Sequence, residues 1–294
     1  MPKTAPRHIN IIGHQNPDTD SICSALAYAW LKNGGSFTGL YEARRAGHVN
    51  RETKYALQHF GVDAPRLCTD ISPQIKDIDI RTQPGIQGEM SVRAAWNLMR
   101  EVEIDTLCIT DESNELQGLI TIKDIADANM ELLDTDVLAE ANTPLTNLLE
   151  TLDAELLVGD KDARITKGNI CIGTSPEIME ELVKPGDLVL VSNRYETQMC
   201  AIDCGAAALI VCCGSAVPRT IVARAKEKGC YILTTPYDTY AASRLVTTAA
   251  PVRHFMRTNR LLKFSVNTPV EDAQKVMASV RHRYFPILDE NGKY

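Results

Sequence analysis

A short pattern that occurs twice constrains the fold of this 294-residue chain more than any other feature. At a spacing of 178 residues, matching residues stand at Val92/Val270, Ala95/Ala273, Met99/Met277, Ile109/Ile287, Asp111/Asp289 and Glu112/Glu290. In each copy the V-x-x-A-x-x-x-M spacing predicts an amphipathic helix, which leads into a short apolar strand and an acidic turn. A unit this small cannot bury its own apolar face, so we expect the two copies to pack together as a pair.

The two copies differ in how far they extend. The first continues through the strand pattern Leu116–Thr121 into a helix start, whereas the residue that corresponds to Leu116 in the second copy is Tyr294, the last one. A strand without its partner is an unusual end for a domain. We therefore expect this chain to be the amino-terminal part of a longer protein.

Alternating strand and helix patterns precede the first copy. An apolar run at His8–Gly13 predicts a buried strand, and Asn50–Phe60 predicts a helix. Between them, Ser21–Leu31 predicts a helix capped by Thr19 or Asp20. Its apolar face would hold Ile22, Ala25, Leu26, Ala29 and Trp30.

The segment between the two copies shows the same alternation. Apolar runs at 187–191 and 207–212 predict strands, while Ser175-Pro176 and Pro218 predict helix starts. The predicted fold class is therefore α/β. The predicted divisions are residues 1–75, 76–135 for the first copy, 142–248 for a separate α/β domain, and 249–294 for the incomplete second copy.

Composition excludes several classes of partner. Lys and Arg number 31 against 38 Asp and Glu, a net charge of −7, which argues against a broad nucleic-acid surface. No apolar run approaches the roughly 20 residues that span a bilayer. The nine cysteines include no C-x-x-C pair, and the first residues lack a secretory signal, so we expect reduced thiols in a cytoplasmic protein.

One imidazole and two carboxylates, those of His14, Asp18 and Asp20, follow the first predicted strand. Open α/β sheets bind ligands at that edge, and a helix start favours phosphate oxygens. Mixed His and carboxylate ligation suits Mn²⁺, Co²⁺ or Mg²⁺, and metal pairs about 3.5–4 Å apart support attack on phosphorus. The N-P-D-T-D stretch is also good turn and capping chemistry, so a metal site and a structural loop both stay open.

These residues also carry a resemblance to a known family. The stretch G-H-Q-N-P-D-T-D-S-I-C-S-A-L-A-Y-A, Gly13 to Ala29, resembles the opening motif of family II (DHH-superfamily) inorganic pyrophosphatases. N-R-E-T-K-Y-A-L, Asn50 to Leu57, resembles that family's next motif. Other DHH phosphoesterases tend to show D-G-D-A where this chain has D-T-D-S, which favours diphosphate as the substrate.

The rest of the chain extends the resemblance. The two copies resemble CBS domains, with the ribose-binding pattern G-h-h-T-x-x-D at Gly118–Asp124, and the middle segment resembles a DRTGG domain without its eponymous string. The implied fold is an incomplete DHH-type parallel-sheet domain with an inserted CBS pair and a DRTGG-type α/β domain. This order matches the CBS-containing, nucleotide-regulated pyrophosphatases.

The resemblance implies particular roles at the amino-terminal motif. His14 and Asp18 would bind one catalytic metal and Asp20 the other, with Mn²⁺ or Co²⁺ as the ion and Mg²⁺ as an alternative. The substrate would be diphosphate, hydrolysed to two phosphates. Further metal ligands and a basic substrate clamp complete the family's site and are absent from these 294 residues, so we expect the chain alone to be inactive.

The CBS pair implies regulation by adenine nucleotides bound between the two copies, with AMP and ADP inhibiting and ATP activating, in a homodimer formed through the CBS units. Thr121 and Asp124 would hold ribose hydroxyls, and Arg281 and Arg283 would meet phosphates. Asp124 also suits a helix cap, and the arginines also suit a solvated edge.

Two other functions fit the same sequence. The first is a non-catalytic sensor that uses only the CBS and DRTGG domains. The second is another DHH phosphoesterase, acting on short oligonucleotides or polyphosphate.

Overall fold

The computed structural model describes residues 9–68, 71–130, 135–280 and 284–294. The chain divides into two compact units, Met1–Pro73 and Gln74–Tyr294. Among the predicted site residues, Arg281 and Arg283 lie outside the described residues, as does His8 of the first predicted strand. None of the helices in the described ranges is long and apolar enough to cross a membrane.

The amino-terminal unit is a parallel sheet with two helices. Its elements are β1 (Ile9–Ile12), α1 (Thr19–Lys32), β2 (Tyr41–Arg45), α2 (Arg51–His59) and β3 (Arg66–Leu67). The three strands are parallel in the order β1-β2-β3. The predicted strand and both predicted helices are confirmed, but the predicted burial of the strand is wrong, because Ile9 and Asn10 of β1 are exposed. Helix α2 is capped by Asn50, whose side chain accepts a hydrogen bond from the Thr53 amide at 2.7 Å.

The buried face of α1 is narrower than predicted. Ile22, Ala25 and Ala29 are buried, whereas Trp30 is 43% exposed, so its predicted place in the core is wrong. Three residues at spacings of three and four form one stripe along a helix, and the next residue lies about 100° around the axis. Trp30 follows Ala29 directly and is therefore turned away from the stripe.

The first repeat, the first copy of the pattern, folds as a small sheet beneath two helices. Its elements are β4 (Ile86–Gln87), α3 (Val92–Glu101), β5 (Thr106–Thr110), β6 (Leu116–Thr121) and α4 (Ile122–Met130). Strand β5 pairs with β4 in parallel and with β6 as an antiparallel hairpin. The core contains the repeated positions Val92, Ala95, Met99 and Ile109, together with Val252 from far along the chain.

The middle domain contains the largest sheet of the described chain. Its elements are α5 (Val137–Glu140), β7 (Thr143–Pro144), α6 (Leu145–Thr151), β8 (Glu155–Val158), β9 (Arg164–Ile165), β10 (Ile170–Ile172), α7 (Pro176–Leu182), β11 (Leu188–Val191), α8 (Tyr195–Asp203), β12 (Ala208–Val211), α9 (Arg219–Lys228), β13 (Tyr231–Thr234) and α10 (Thr239–Leu245). The strand order is β10-β11-β12-β13-β8, with only β8 antiparallel, and β7 pairs with β9 separately.

Alternate residues of β11 show that this sheet is covered on both faces. Leu188 and Leu190 pack in the core that includes α6 and α10. Val189 and Val191 pack in the core that includes α7, α8 and α9. A central strand of a covered parallel sheet is apolar throughout, which is why the runs 187–191 and 207–212 predicted β11 and β12.

The second repeat, the second copy of the pattern, reproduces the first at the spacing found in the sequence. Its elements are β14 (Phe264–Ser265), α11 (Val270–Ser279) and β15 (Ile287–Leu288), and β14 and α11 begin and end 178 residues after β4 and α3. The acidic turn recurs as well. Asp111 accepts hydrogen bonds from the amides of Ser113 and Glu115, both at 2.9 Å, and Asp289 accepts them from the amides of Asn291 and Lys293, both at 2.8 Å.

The two repeats are joined by an exchange of segments. The backbone ahead of each repeat hydrogen-bonds to the other repeat. The four bonds run from Ile75 N to Thr268 O (3.0 Å), Lys76 N to Val266 O (2.9 Å), Val252 N to Met90 O (2.8 Å) and Arg253 N to Gly88 O (3.0 Å). The predicted pairing of the repeats is therefore confirmed, and each repeat needs the chain that precedes its partner.

We expect Asn147 to stabilise the junction between the first repeat and the middle domain. This buried side chain donates hydrogen bonds to the carbonyl oxygens of Glu89 at 2.8 Å and Ala249 at 3.1 Å. Asn147→Ala removes both donors, so the free energy of unfolding should fall by about 1–3 kcal/mol in chemical denaturation followed by circular dichroism.

The matched control is Asn97→Ala, at an exposed position of α3. It should change the free energy of unfolding by no more than about 0.5 kcal/mol. Equal losses in the two variants would contradict the role given to Asn147.

Candidate functional site

The loop between β1 and α1 ends in a carboxylate that caps the helix. Asp18 is the residue before α1, its backbone is extended, and its side chain accepts a hydrogen bond from the Ser21 amide at 2.9 Å. The predicted caps Thr19 and Asp20 are wrong, because both already belong to the first turn of the helix. An N-cap side chain must stand outside the helix and reach back to the second or third helical amide.

His14 and Asp18 are brought together by this loop. His14 Nε2 lies 3.4 Å from Asp18 Oδ1, and the two side chains are 59% and 61% exposed. The hydrogen bond from the Ser21 amide lowers the pKa of Asp18 below its usual value, and the nearby His14 lowers it further. Asp20 takes a different partner, since its Oδ1 accepts a hydrogen bond from Ser24 Oγ at 3.3 Å.

The predicted metal ligands form a partial site in this chain. Within the described ranges, no group of three or more His, Cys, Asp or Glu side chains is placed to hold a metal ion. His14 and Asp18 supply an imidazole and a carboxylate in contact, a donor pair that suits Mn²⁺ or Co²⁺. These residues fit two coordination positions, and the assignment of His14, Asp18 and Asp20 as metal ligands stays a prediction.

Residues that the sequence analysis did not single out hold this loop in place. Thr53 is fully buried, and its Oγ1 lies 3.0 Å from Thr19 Oγ1, which links the start of α1 to α2. A Cβ at Gly47 would lie 2.5 Å from the Gln15 carbonyl oxygen and 2.7 Å from the Pro17 ring. Only glycine allows this approach, so Gly47 and Thr53 position the loop that carries His14 and Asp18.

The second candidate site is at the start of α4 in the first repeat. Asp124 Oδ2 accepts hydrogen bonds from Thr121 N at 2.8 Å and from Thr121 Oγ1 at 2.7 Å, and the Asp124 amide lies 3.3 Å from Thr121 Oγ1. This reciprocal arrangement is a capping box. The capping role of Asp124 is thus present, and the role of both residues in holding ribose stays a prediction.

A cleft of about 770 Å³ opens beside Thr121 and is bordered by cations. Among the described residues, Lys123, Arg257 and Arg260 line it against one carboxylate, that of Asp105. Ligand clefts in proteins commonly enclose about 300–1,000 Å³, and the volume of this cleft lies within that range. The predicted phosphate partners Arg281 and Arg283 lie outside the described residues. The three lining cations were missed because Lys123 occupies a variable position of the G-h-h-T-x-x-D pattern and Arg257 and Arg260 stand in no recognisable motif.

A larger cleft of about 1110 Å³ lies between the two repeats and differs in charge. Its charged lining residues in the described part of the chain are Asp79, Asp111, Glu112 and Arg81. The Arg81 guanidinium already donates hydrogen bonds to the carbonyl oxygens of Val102 and Glu103, so it is less able to bind a ligand in this cleft. The smaller cleft therefore offers the better described surface for phosphate.

Comparisons with known proteins match every part of the chain. The model of the CBS domain matches residues 75–131 and 252–294, and that of the DRTGG domain matches residues 147–249. The cobalt-dependent inorganic pyrophosphatase of Clostridium perfringens is 33% identical over 286 residues, which are 97% of this chain and 52% of that protein. The probable manganese-dependent inorganic pyrophosphatase of Thermotoga maritima is 24% identical over 98% of this chain and 53% of its own length.

Two further comparisons each match a part of the chain. The manganese-dependent inorganic pyrophosphatase of Bacillus subtilis is 50% identical over 70 residues, 24% of this chain and 22% of that protein. The solved CBS and DRTGG domains of the Clostridium perfringens pyrophosphatase regulatory region, in complex with the activator diadenosine tetraphosphate, match with a TM-score of 0.71 and 29% identity. That match covers 75% of this chain and 96% of the solved one. The chain spans about half the length of the two curated relatives that it matches almost throughout.

We expect the capping role of Asp18 to be separable from its charge. Asn is as good an N-cap as Asp, so Asp18→Asn should keep α1 intact, whereas Asp18→Ala should fray its first turn. Hydrogen exchange at the Ser21 amide measures this directly: protection should persist in the Asn variant and fall in the Ala variant.

Asp20→Ala is the control, because Asp20 bonds to Ser24 Oγ and to no backbone amide. Protection of the Ser21 amide should be unchanged in this variant. A loss as large as that caused by Asp18→Ala would show that Asp18 does not act as the cap.

Proposed function

We propose that this chain, a member of the CBS- and DRTGG-containing inorganic pyrophosphatases, is the amino-terminal half of an enzyme that hydrolyses diphosphate to two phosphates with Mn²⁺ or Co²⁺. The observation that carries the proposal is the order of its parts. A His14–Asp18 pair beside a parallel sheet is followed by a CBS unit, a DRTGG domain and a second CBS unit, and the chain aligns with two pyrophosphatases over nearly its whole length.

The amino-terminal loop contributes ligands and orientation to this reaction. A divalent ion bound there would supply a Lewis acid for attack on phosphorus. Asp18 is held at the helix start and has a lowered pKa, so it is an ionised ligand at neutral pH. His14 and Asp18 would hold one ion and Asp20 the other, while the start of α1 favours the negative charge of the substrate.

Control of the enzyme is assigned to the CBS pair. The solved regulatory region of the Clostridium perfringens pyrophosphatase binds an adenine dinucleotide activator. In this chain the cleft beside Thr121 has the size and the positive border that an adenine nucleotide requires. AMP, ADP and ATP are the proposed ligands, with Thr121 and Asp124 at the ribose and Arg281 and Arg283 at the phosphates.

The proposed protein combines four domain segments in each copy and two copies in a dimer. We assign residues 1–75 to the catalytic domain, 76–135 and 249–294 to the CBS units and 142–248 to the DRTGG-like domain. Two copies of the protein would associate through their CBS units, and the proposed location is the cytoplasm.

Diphosphate hydrolysis tests the catalytic proposal. The 294-residue chain with Mn²⁺ or Co²⁺ should release no phosphate from diphosphate above background, because its described residues fill only part of a metal site. Joined after Tyr294 to the part of the Clostridium perfringens relative that it does not match, it should release phosphate, and adenine nucleotides should change the rate.

Two variants of this fusion sharpen the result. Asp18→Asn keeps the helix cap but removes a ligand charge, so the rate should fall by at least about 10²-fold. Asp63→Asn, an exposed carboxylate after α2, should leave the rate unchanged. Hydrolysis of short oligonucleotides in preference to diphosphate would favour another phosphoesterase, and nucleotide binding without any hydrolysis would favour the non-catalytic sensor.

Nucleotide binding tests the regulatory proposal on the chain itself. Isothermal titration should show AMP binding to the 294-residue protein. Thr121→Val removes the hydroxyl that organises Asp124, so AMP should bind about tenfold more weakly. Thr220→Val, on the exposed side of α9, is the control and should bind AMP as the unchanged chain does. Absence of AMP binding to the unchanged chain would overturn the regulatory proposal.

A further inference from the structure

The carboxylate of Asp124 is fully occupied by hydrogen bonds from protein groups. Thr121 donates two hydrogen bonds to Asp124 Oδ2. Two guanidinium nitrogens of Arg257 contact Asp124 Oδ1, Nε at 2.7 Å and Nη2 at 2.6 Å. A carboxylate has about four acceptor positions. A ribose hydroxyl can therefore bond to Asp124 only if one of these two partners leaves.

Arg257 is the partner that is able to leave. The Thr121 bonds belong to the cap of α4, whereas Arg257 comes from the segment ahead of the second repeat. Its backbone is fixed, because Arg257 N bonds to Leu119 O at 2.8 Å and Leu119 N bonds to Arg257 O at 3.0 Å. Its side chain is 49% exposed, against 10% for Asp124, and lines the cleft beside Lys123 and Arg260.

Arg253, four residues earlier on the same segment, shows the contrasting arrangement. Its guanidinium bonds to Glu89 Oε1 at 2.8 Å and also to the carbonyl oxygens of Ala141 and Asn142. Release of Arg253 would break three hydrogen bonds, of which the one to the Ala141 carbonyl oxygen is part-buried. Arg257 has one partner group among the described residues, and its side chain is half-exposed, so its guanidinium can turn towards the cleft without leaving a main-chain carbonyl oxygen unpaired.

We propose that Arg257 is the exchange residue of this cleft. With the cleft empty it neutralises Asp124; when an adenine nucleotide binds, a ribose hydroxyl takes its place on Asp124 and the guanidinium moves to the phosphate. The inference rests on the proposed binding of adenine nucleotides at the CBS pair and adds a source of specificity. A nucleotide replaces the lost ion pair with a new one, whereas a nucleoside displaces Arg257 and gives it no anion in return.

This exchange makes opposite predictions for two ligands that differ only in phosphate. In Arg257→Ala, AMP loses one of its proposed phosphate partners and should bind about tenfold more weakly. Adenosine no longer has to displace a cation from Asp124 and should bind several-fold more tightly. The ratio of the adenosine Kd to the AMP Kd, measured by isothermal titration, should therefore collapse by more than about tenfold.

Two further variants make the test decisive. Arg257→Gln keeps the length of the side chain without its charge and should reproduce the change in the ratio, with circular dichroism confirming that each variant is folded. Arg224→Ala breaks a similarly exposed arginine pair with Asp203 and Glu227 in the middle domain and should leave both Kd values unchanged.

The possible failures are distinguishable. If the unchanged chain binds AMP but the Arg257 variants weaken AMP and adenosine equally, Arg257 has a structural role only and the exchange is wrong. An unchanged ratio in folded Arg257→Gln would overturn it as well. If the unchanged chain binds neither ligand, the proposed nucleotide site itself is absent and the inference fails with it.

Discussion

The second unit of the chain depends on the fact that neither repeat can bury its apolar face alone. Each repeat takes backbone hydrogen bonds from the segment that precedes the other, and Val252 enters the core of the first repeat from about 160 residues further along the chain than Val92. Such long-range contacts are costly to close but hold distant parts of a chain together once formed. The middle domain therefore lies between two segments that the paired repeats hold together.

Charge extends this constraint into the middle domain. The Glu89 carboxylate of the first repeat bonds to Arg253 through Oε1 and to Arg164 of β9 through Oε2, both at 2.8 Å. Partial burial alone would raise the pKa of Glu89, but the hydrogen bonds from Arg164 and Arg253 hold it below its usual value. One carboxylate thus links both repeats to the middle domain. Arg253 and Arg257 lie four residues apart on one segment, which connects this link to the cleft beside Thr121.

The sequence predicted the elements that have a local pattern and missed the contacts that have none. The repeat at a spacing of 178 residues predicted α3 and α11 as equivalent helices, because the pattern of apolar residues that defines each helix lies within ten consecutive positions. The exchanged segments carry no such period, since their partners are main-chain groups far away in the chain. The prediction for Trp30 was wrong for a related reason. The sequence shows that Trp30 is large and apolar, but not whether its side chain faces the core or the solvent.

Both candidate sites use a carboxylate that already has a structural task, which explains why the sequence left two interpretations open. Asp18 caps α1 and Asp124 closes the capping box of α4, and each is thereby held at a strand-to-helix junction without further ordering. A helix-capping motif and a ligand-binding motif can therefore have the same amino-acid sequence. The two roles differ in the other contacts of the carboxylate. A capping carboxylate needs hydrogen bonds only from groups in the first turn of its own helix. His14 beside Asp18 and Arg257 on Asp124 are unnecessary for capping, and these contacts support the ligand-binding role that we propose for the two carboxylates.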